Sequence, residues 1–217
     1  MITDTQLQTS VFDELKWRPS VNAAHIGVTA TDGVITLTGR VVHFAEKTAA
    51  EDAAKSVYGV KGVANEIAVE IVGMYKRTDQ DIAAAALNAL KWDFGVPNDK
   101  VMVVVKNAWI TLSGKLDWRY QKDAAASCVR NLIGVAGVTN DITIKPETKW
   151  IDVKGKIEDS FRRNADLEAR RIHVTTSAGT VNLTGSVASW AERDQAVSAA
   201  WSAPGVTTVN NDLMIIP

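Results

Sequence analysis

The chain has 217 residues, with 24 Lys and Arg against 25 Asp and Glu, so it lacks the basic excess of a bulk nucleic-acid binder. Its longest apolar runs, such as VMVVV from Val101, are strand-length, so no transmembrane segment is expected, and the N-terminal residues lack a secretory pattern. The single cysteine, Cys128, excludes an intramolecular disulfide framework and suits a reducing, cytoplasmic setting.

Taken in chain order, Leu7, Val11 and Leu15 stand four apart and predict one apolar face of a helix, with Thr3 placed as its N-cap. IGVTA from Ile26 reads as a strand and leads to Asp32-Gly33, a two-residue hairpin signal. The phrase DGVITLTGRV then alternates: Ile35 and Leu37 face one way, Thr36 and Thr38 the other. Gly39 ends this strand at a predicted bend or close approach that a Cβ would obstruct. The alanine-rich EKTAAEDAAKSV predicts a second helix, and GVKGVANEIAV from Gly59 turns the chain into a third strand.

The same order recurs twice. NAWITLSGKL and AGTVNLTGSV repeat the hairpin phrase, with Gly114 and Gly185 in the place of Gly39, at offsets of 75 and 71. GVAGVTNDITI and GVTTVNNDLMI repeat the Gly-Val phrase at those same two offsets. First helices are predicted at Ile82, Ala86 and Leu90, behind Thr78 as N-cap, and at Val153, Ile157 and Phe161, where Lys149 holds the capping register. The chain is three copies of one unit, at residues 1–73, 76–146 and 147–217. Residues 1–75 carry 6 basic and 9 acidic side chains, 76–146 carry 10 and 7, and 147–217 carry 8 and 9, so the middle copy is the basic one.

Each unit reads α-β-β-α-β. The hairpin makes strands one and two antiparallel, and the second helix is a right-handed crossover that makes strands two and three parallel. The predicted fold class is α+β: three tandem units, each a three-stranded mixed sheet with two helices on one face. The joins around VGMYKRT and KPETK are short, which predicts packed units rather than beads on a string.

This unit resembles the BON domain. The matching residues are Leu37, Gly39, Gly59, Val60, Val63 and Asn65, with Leu112, Gly114, Gly134, Val135, Val138 and Asn140, then Leu183, Gly185, Gly205, Val206, Val209 and Asn211. The resemblance covers nearly the whole chain. It implies a non-catalytic module, often associated with phospholipid, in a family that includes envelope-stress proteins, parts of secretins and channels, and a cytosolic potassium-binding protein.

Residue chemistry agrees with a non-enzyme. His25, His43 and His173 share no register, no grouping has zinc spacing, and no Gly-rich phosphate loop occurs, so neither catalytic residue, metal nor cofactor is expected. Cys128 stands where Ala53 stands and reads as a buried small hydrophobe. Asn65, Asn140 and Asn211 read as a fold requirement, their amides bonding a neighbouring backbone. Trp17 and Trp92 are register twins at the end of the first helix and read as core. Phe161-Arg162-Arg163 and Arg170-Arg171, interleaved with Asp159, Asp166 and Glu168, read as a self-neutralising surface.

Aromatics and cations meet at the loop into the second helix: His43-Phe44, then Trp118, Arg119, Tyr120 and Lys122, then Trp190 with Arg193. An aromatic ring beside a cation suits contact with anionic lipid headgroups or with a partner protein, most of all in the basic middle unit, whereas Phe44 and Trp190 read first as rings packed over the end of their own sheet. Trp109, on the face opposite the helices, is a candidate interface residue. The leading expectation is a stress-related protein that binds anionic phospholipid surfaces. The alternatives are a cytosolic potassium-binding protein and a scaffold or chaperone-like protein that self-associates through its open sheets.

Overall fold

A computed structural model describes residues 2–145, 153–163, 171–203 and 205–216. Lys149, Asp166, Glu168, Arg170 and most of the KPETK join lie outside the described residues.

The first unit holds helix α1 (Asp4–Trp17), strands β1 (Ile26–Thr31) and β2 (Val34–Val41), helix α2 (Phe44–Ser56), and strands β3 (Gly62–Asn65) and β4 (Ala68–Val69). The second holds α3 (Asp79–Trp92), β5 (Val101–Lys106), β6 (Trp109–Leu116), α4 (Arg119–Arg130) and β7 (Gly137–Ile144). The third holds α5 (Val153–Arg163), β8 (Ile172–Ser177), β9 (Thr180–Val187), α6 (Trp190–Trp201) and β10 (Thr208–Ile215). In every unit the hairpin's second strand is central, antiparallel to the first strand and parallel to the last. The first unit departs in one detail. Its last strand is interrupted at Glu66-Ile67, although the Glu66 N–H still donates to the Leu37 carbonyl at 2.8 Å and the chain keeps following β2.

Local chemistry accounts for these elements. Thr3 Oγ1 accepts from the Gln6 N–H while Gln6 Oε1 accepts from the Thr3 N–H, and Thr78 and Asp81 repeat this reciprocal cap on α3. The first residue of each of these helices then clamps the hairpin. Asp4 accepts from the Asp32 and Gly33 N–H groups, and Asp79 from those of Asn107 and Ala108. Both central residues of each hairpin turn, Ala108 and Ala178 included, have positive φ. The three turns are thus one primed type whose twist matches the strands.

The bends predicted at Gly39, Gly114 and Gly185 are left-handed, with φ of +125°, +143° and +118°. A Cβ there would fall on the carbonyl oxygen of His25, Lys100 or Arg171, the residue leading into the unit's first strand. Each unit closes its own core. Leu15, Ile35 and Leu37 lie at the centre of the first, Leu90, Ile110 and Leu112 of the second, and Ile157, Phe161 and Leu183 of the third.

Candidate functional site

The asparagines join the last strand to the second helix. Asn65 donates from Nδ2 to the Lys47 carbonyl at 3.1 Å and to Glu51 Oε2 at 3.0 Å, and its Oδ1 accepts from the Ile67 N–H. Asn140 repeats the bond with the Lys122 carbonyl at 2.7 Å, and Asn211 Oδ1 accepts from the Leu213 N–H. Burial alone would raise the Glu51 pKa, but the hydrogen bonds from Lys55 and Asn65, with the charges of Lys55 and Lys47, hold it below the ordinary value.

The residues at the entrance to the second helix point out of their own unit. Phe44 packs against the core of the second unit, where it shares a hollow of about 210 Å³ with Arg130. The Arg119 guanidinium stacks at 4.7 Å on Trp201 of the third unit and is held at 2.8 and 2.9 Å by Asp123. Trp190 packs against the core of the first unit, under Lys55 Nζ at 5.7 Å. The first unit therefore keys into the second, the second into the third and the third back into the first.

One rule underlies all three joints. Phe44, Arg119 and Trp190 are register twins, and so are Lys55, Arg130 and Trp201. At two of the joints an aromatic ring faces a cation, Arg119 with Trp201 and Trp190 with Lys55, and at the first joint Phe44 and Arg130 line one hollow. Only the side that supplies the ring changes. An aligned view of the three second helices carries this signal, but only to a reader who expects the helix to leave its own unit.

The remaining expected residues are placed as follows. Arg193 stacks on Trp190 at 4.7 Å inside the third joint, where Trp190 Nε1 and Arg193 Nε are buried without a hydrogen-bond partner among the described residues. Trp118 is 37% exposed and Tyr120 60%. Lys122 is half-buried, and its pKa is lowered by burial and by the Arg119 charge, against the pull of Asp123 and Asp141. Trp109 stands on the open sheet face with its indole N–H donated to Thr139 Oγ1 at 2.8 Å, near the exposed Met102 and Val104. No His, Cys, Asp and Glu grouping able to hold a metal ion occurs among the described residues.

Two expectations are corrected. Trp17 and Trp92 are not core: they are 82% and 85% exposed, because each helix buries only its i, i+4, i+8 stripe and both tryptophans follow that stripe by two residues. Phe94, two residues further on, is fully exposed as well. Cys128 is only partly buried, and its S–H donates to Asp93 Oδ2 at 3.0 Å. Burial, that hydrogen bond and the Asp93 charge push its pKa up to about 11.

Three matches to one family cover residues 3–71, 78–146 and 152–217, and that family is the BON domain. The chain belongs to the BON domain family. Its three BON units are arranged in tandem. The chain is similar to the osmotically-inducible protein Y of Escherichia coli (strain K12), at 29% identity over 144 residues, covering 62% of this chain and 71% of that protein. Among solved structures, the C-terminal domain of CdsD, a structural protein of the type III secretion system of Chlamydia trachomatis, aligns over 100% of both chains at 15% identity and a TM-score of 0.26. A second CdsD structure aligns at 16% identity and the same score over 96% of this chain and 91% of that one. A score of 0.26 is too low to bear on how the BON units are arranged.

Proposed function

We propose that this BON protein is a non-enzymatic, stress-related, cytoplasmic protein that binds anionic phospholipid surfaces. The supporting observation is the pair of exposed tryptophans at the ends of the first helices. Trp17 sits between Lys16 and Arg18, and Trp92 follows Lys91. Phe94 and Tyr120 add exposed rings to the middle unit, and a Cβ at Gly95 would lie 3.9 Å from Tyr120 Cε2, which places that ring beside the Phe94 turn. An indole at headgroup depth beside a cation is the arrangement an anionic interface favours. Lys16 pairs with Asp13 at an exposed site, where such a pair is a weak competitor, whereas Arg18 is held by Glu14 at 3.2 Å in a part-buried pair and leaves Lys16 as the freer cation beside Trp17. Trp190 and Arg193, engaged between units, are left out of the membrane-facing set. The stress-related part rests on the similarity to an osmotically-inducible protein. No helix among the described residues is long and apolar enough to cross a membrane, so the contact proposed is peripheral.

Co-sedimentation with vesicles tests this reading. Binding to anionic but not zwitterionic vesicles, lost at high salt and weakened by Trp17→Ala and Trp92→Ala, is the expected result. Absence of binding to anionic vesicles at low salt would overturn it. The open face of the second unit, with Met102 at 64% and Val104 at 52% exposure beside Trp109, favours protein contact as the second reading. Light scattering at high protein concentration, with Trp109→Thr as the control, distinguishes self-association through that face.

A further inference from the structure

The first strand of each unit lies at an edge of its sheet, and a strand edge is a template for another strand. In an antiparallel hairpin closed by a two-residue turn, the pair beside the turn exchanges both hydrogen bonds, and alternate residues beyond it point their N–H and C=O away. For β1 the closing pair is Thr31 and Val34, so Ala30, Val28 and Ile26 face outward. For β5 it is Lys106 and Trp109, so Val105, Val103 and Val101 face outward. Two of these three edges are guarded. Gln8 of α1 donates from Nε2 to the Val28 carbonyl at 2.7 Å and occupies the middle of the first. Its register twin beside β8 is Lys154, paired with Glu158 at 3.6 Å, and charges along an edge oppose pairing. The twin beside β5 is Ala83, too short to reach the Val103 carbonyl. Among the described residues, no loop or side chain bonds the outward groups of Val103 or Val105. Apolar side chains flank this same edge. Met102 and Val104 are exposed on the open sheet face, and Leu87, one turn after Ala83, is exposed on α3. The twins of Met102 and Val104 are Gly27 and Thr29 in the first unit and His173 and Thr175 in the third.

We propose that β5 pairs with β5 of a second copy of this chain, antiparallel about a two-fold axis at Val103, joining two three-stranded sheets into one of six. The inference rests on the second reading above, self-association through the middle unit, and gives it a geometry. In this register the N–H and C=O of Val103 meet those of the second copy's Val103, and the Val105 N–H meets the second copy's Val101 carbonyl. The Val101 N–H is already given to the Asn98 carbonyl and is not needed. On the open face Met102 of each copy falls beside Val104 of the other, the close spacing of a non-hydrogen-bonded pair. The register centred on Val104 would instead set Met102 against Lys106. Lys106 falls opposite the second copy's Lys100, whose charge Asp117 meets at 3.0 Å. The joined edges cover less than the ~1,200 Å² of a standard interface, so the dimer belongs to the weak, reversible class. The middle unit carries the positive excess, so salt screens the approach of two copies and strengthens the dimer, the opposite of its effect on vesicle binding.

The experiment is sedimentation equilibrium of the full chain at low and high salt, from dilute to concentrated solution, with amide hydrogen exchange read at Val103 and Val105. A monomer–dimer equilibrium that tightens with salt is expected, with exchange at Val103 slowing as concentration rises. Ala83→Gln rebuilds the guard that Gln8 provides in the first unit, costs a helix little, and is expected to weaken the dimer by about tenfold. Val103→Pro removes the central outward N–H and is expected to abolish the dimer, since an edge strand tolerates proline where its N–H faces solvent. Val104→Lys, at an exposed position, gives the same loss without touching the backbone should the proline variant fail to fold. A strict monomer at high concentration and high salt would overturn both this pairing and the self-association it rests on. A dimer lost in Trp109→Thr but kept in Ala83→Gln, with Val103 exchange independent of concentration, would overturn the edge pairing alone and leave contact through the open face.

Discussion

Lys55 Nζ stands 5.7 Å over the ring of Trp190, joining α2 of the first BON unit to α6 of the third. This contact closes the cycle of joints, since it returns the last unit to the first. A third unit is needed for that closure. Trp190→Ala removes a partly buried ring from a foreign core and is expected to destabilise the fold by about 2 kcal/mol, below the ~3–5 kcal/mol of a fully buried aromatic. Urea unfolding should then show the first and third units losing their common transition. Trp190→Phe keeps the ring and removes the unpaired buried N–H, so its midpoint should stay within about 1 kcal/mol of the parent.

Gly114→Ala sets a Cβ on the Lys100 carbonyl at a φ of +143°. A loss of at least about 1–3 kcal/mol is expected from the backbone strain alone. Gly62→Ala is the control, because a Cβ there meets only Val34 methyl groups at 3.7 and 3.8 Å. Thermal melts of the two variants should separate clearly.

Asn140→Leu removes the amide that bonds the Lys122 carbonyl and the acceptor of the Ile142 N–H. The Ile142 N–H is left without its partner while the Lys122 carbonyl keeps its bond within the α4 ladder, so a cost of about 1–3 kcal/mol for one group sets the upper range of the effect. Faster hydrogen exchange at Ile142 is the local readout.

Cys128 should label slowly with iodoacetamide at pH 8, since its pKa of about 11 leaves little thiolate. Asp93→Asn removes the negative charge beside the thiol and the acceptor that favours the S–H form. Its labelling rate should rise at pH 8, and the pH at half-maximal rate should fall.

Glu51 contributes stability that depends on pH with a definite sign. Its folded pKa lies below the ordinary 4.5, so the contribution is fully present above that value and is lost as pH falls through the folded pKa. Glu51→Gln should flatten part of the acid limb of a stability–pH profile and leave the neutral region with the smaller change.

The unit fold was legible because its cause is local. Period-two alternation at Ile35 and Leu37, the four-residue stripe at Leu7, Val11 and Leu15, and the turn at Asp32-Gly33 each specify an element within a few residues, and repetition confirmed the reading twice. The capping threonines and the bend glycines followed for the same reason. Exposure at a stripe's edge was not legible: Trp17 and Trp92 are large and apolar, yet nothing in their neighbourhood along the chain says whether a second surface will cover them. The destination of Phe44, Arg119 and Trp190 was equally hidden, because an aromatic at a helix entrance is the same residue whether it caps its own sheet or enters another core. That choice depends on which surfaces remain free after each unit has closed. It is made by packing between residues more than a hundred positions apart, as between Lys55 and Trp190.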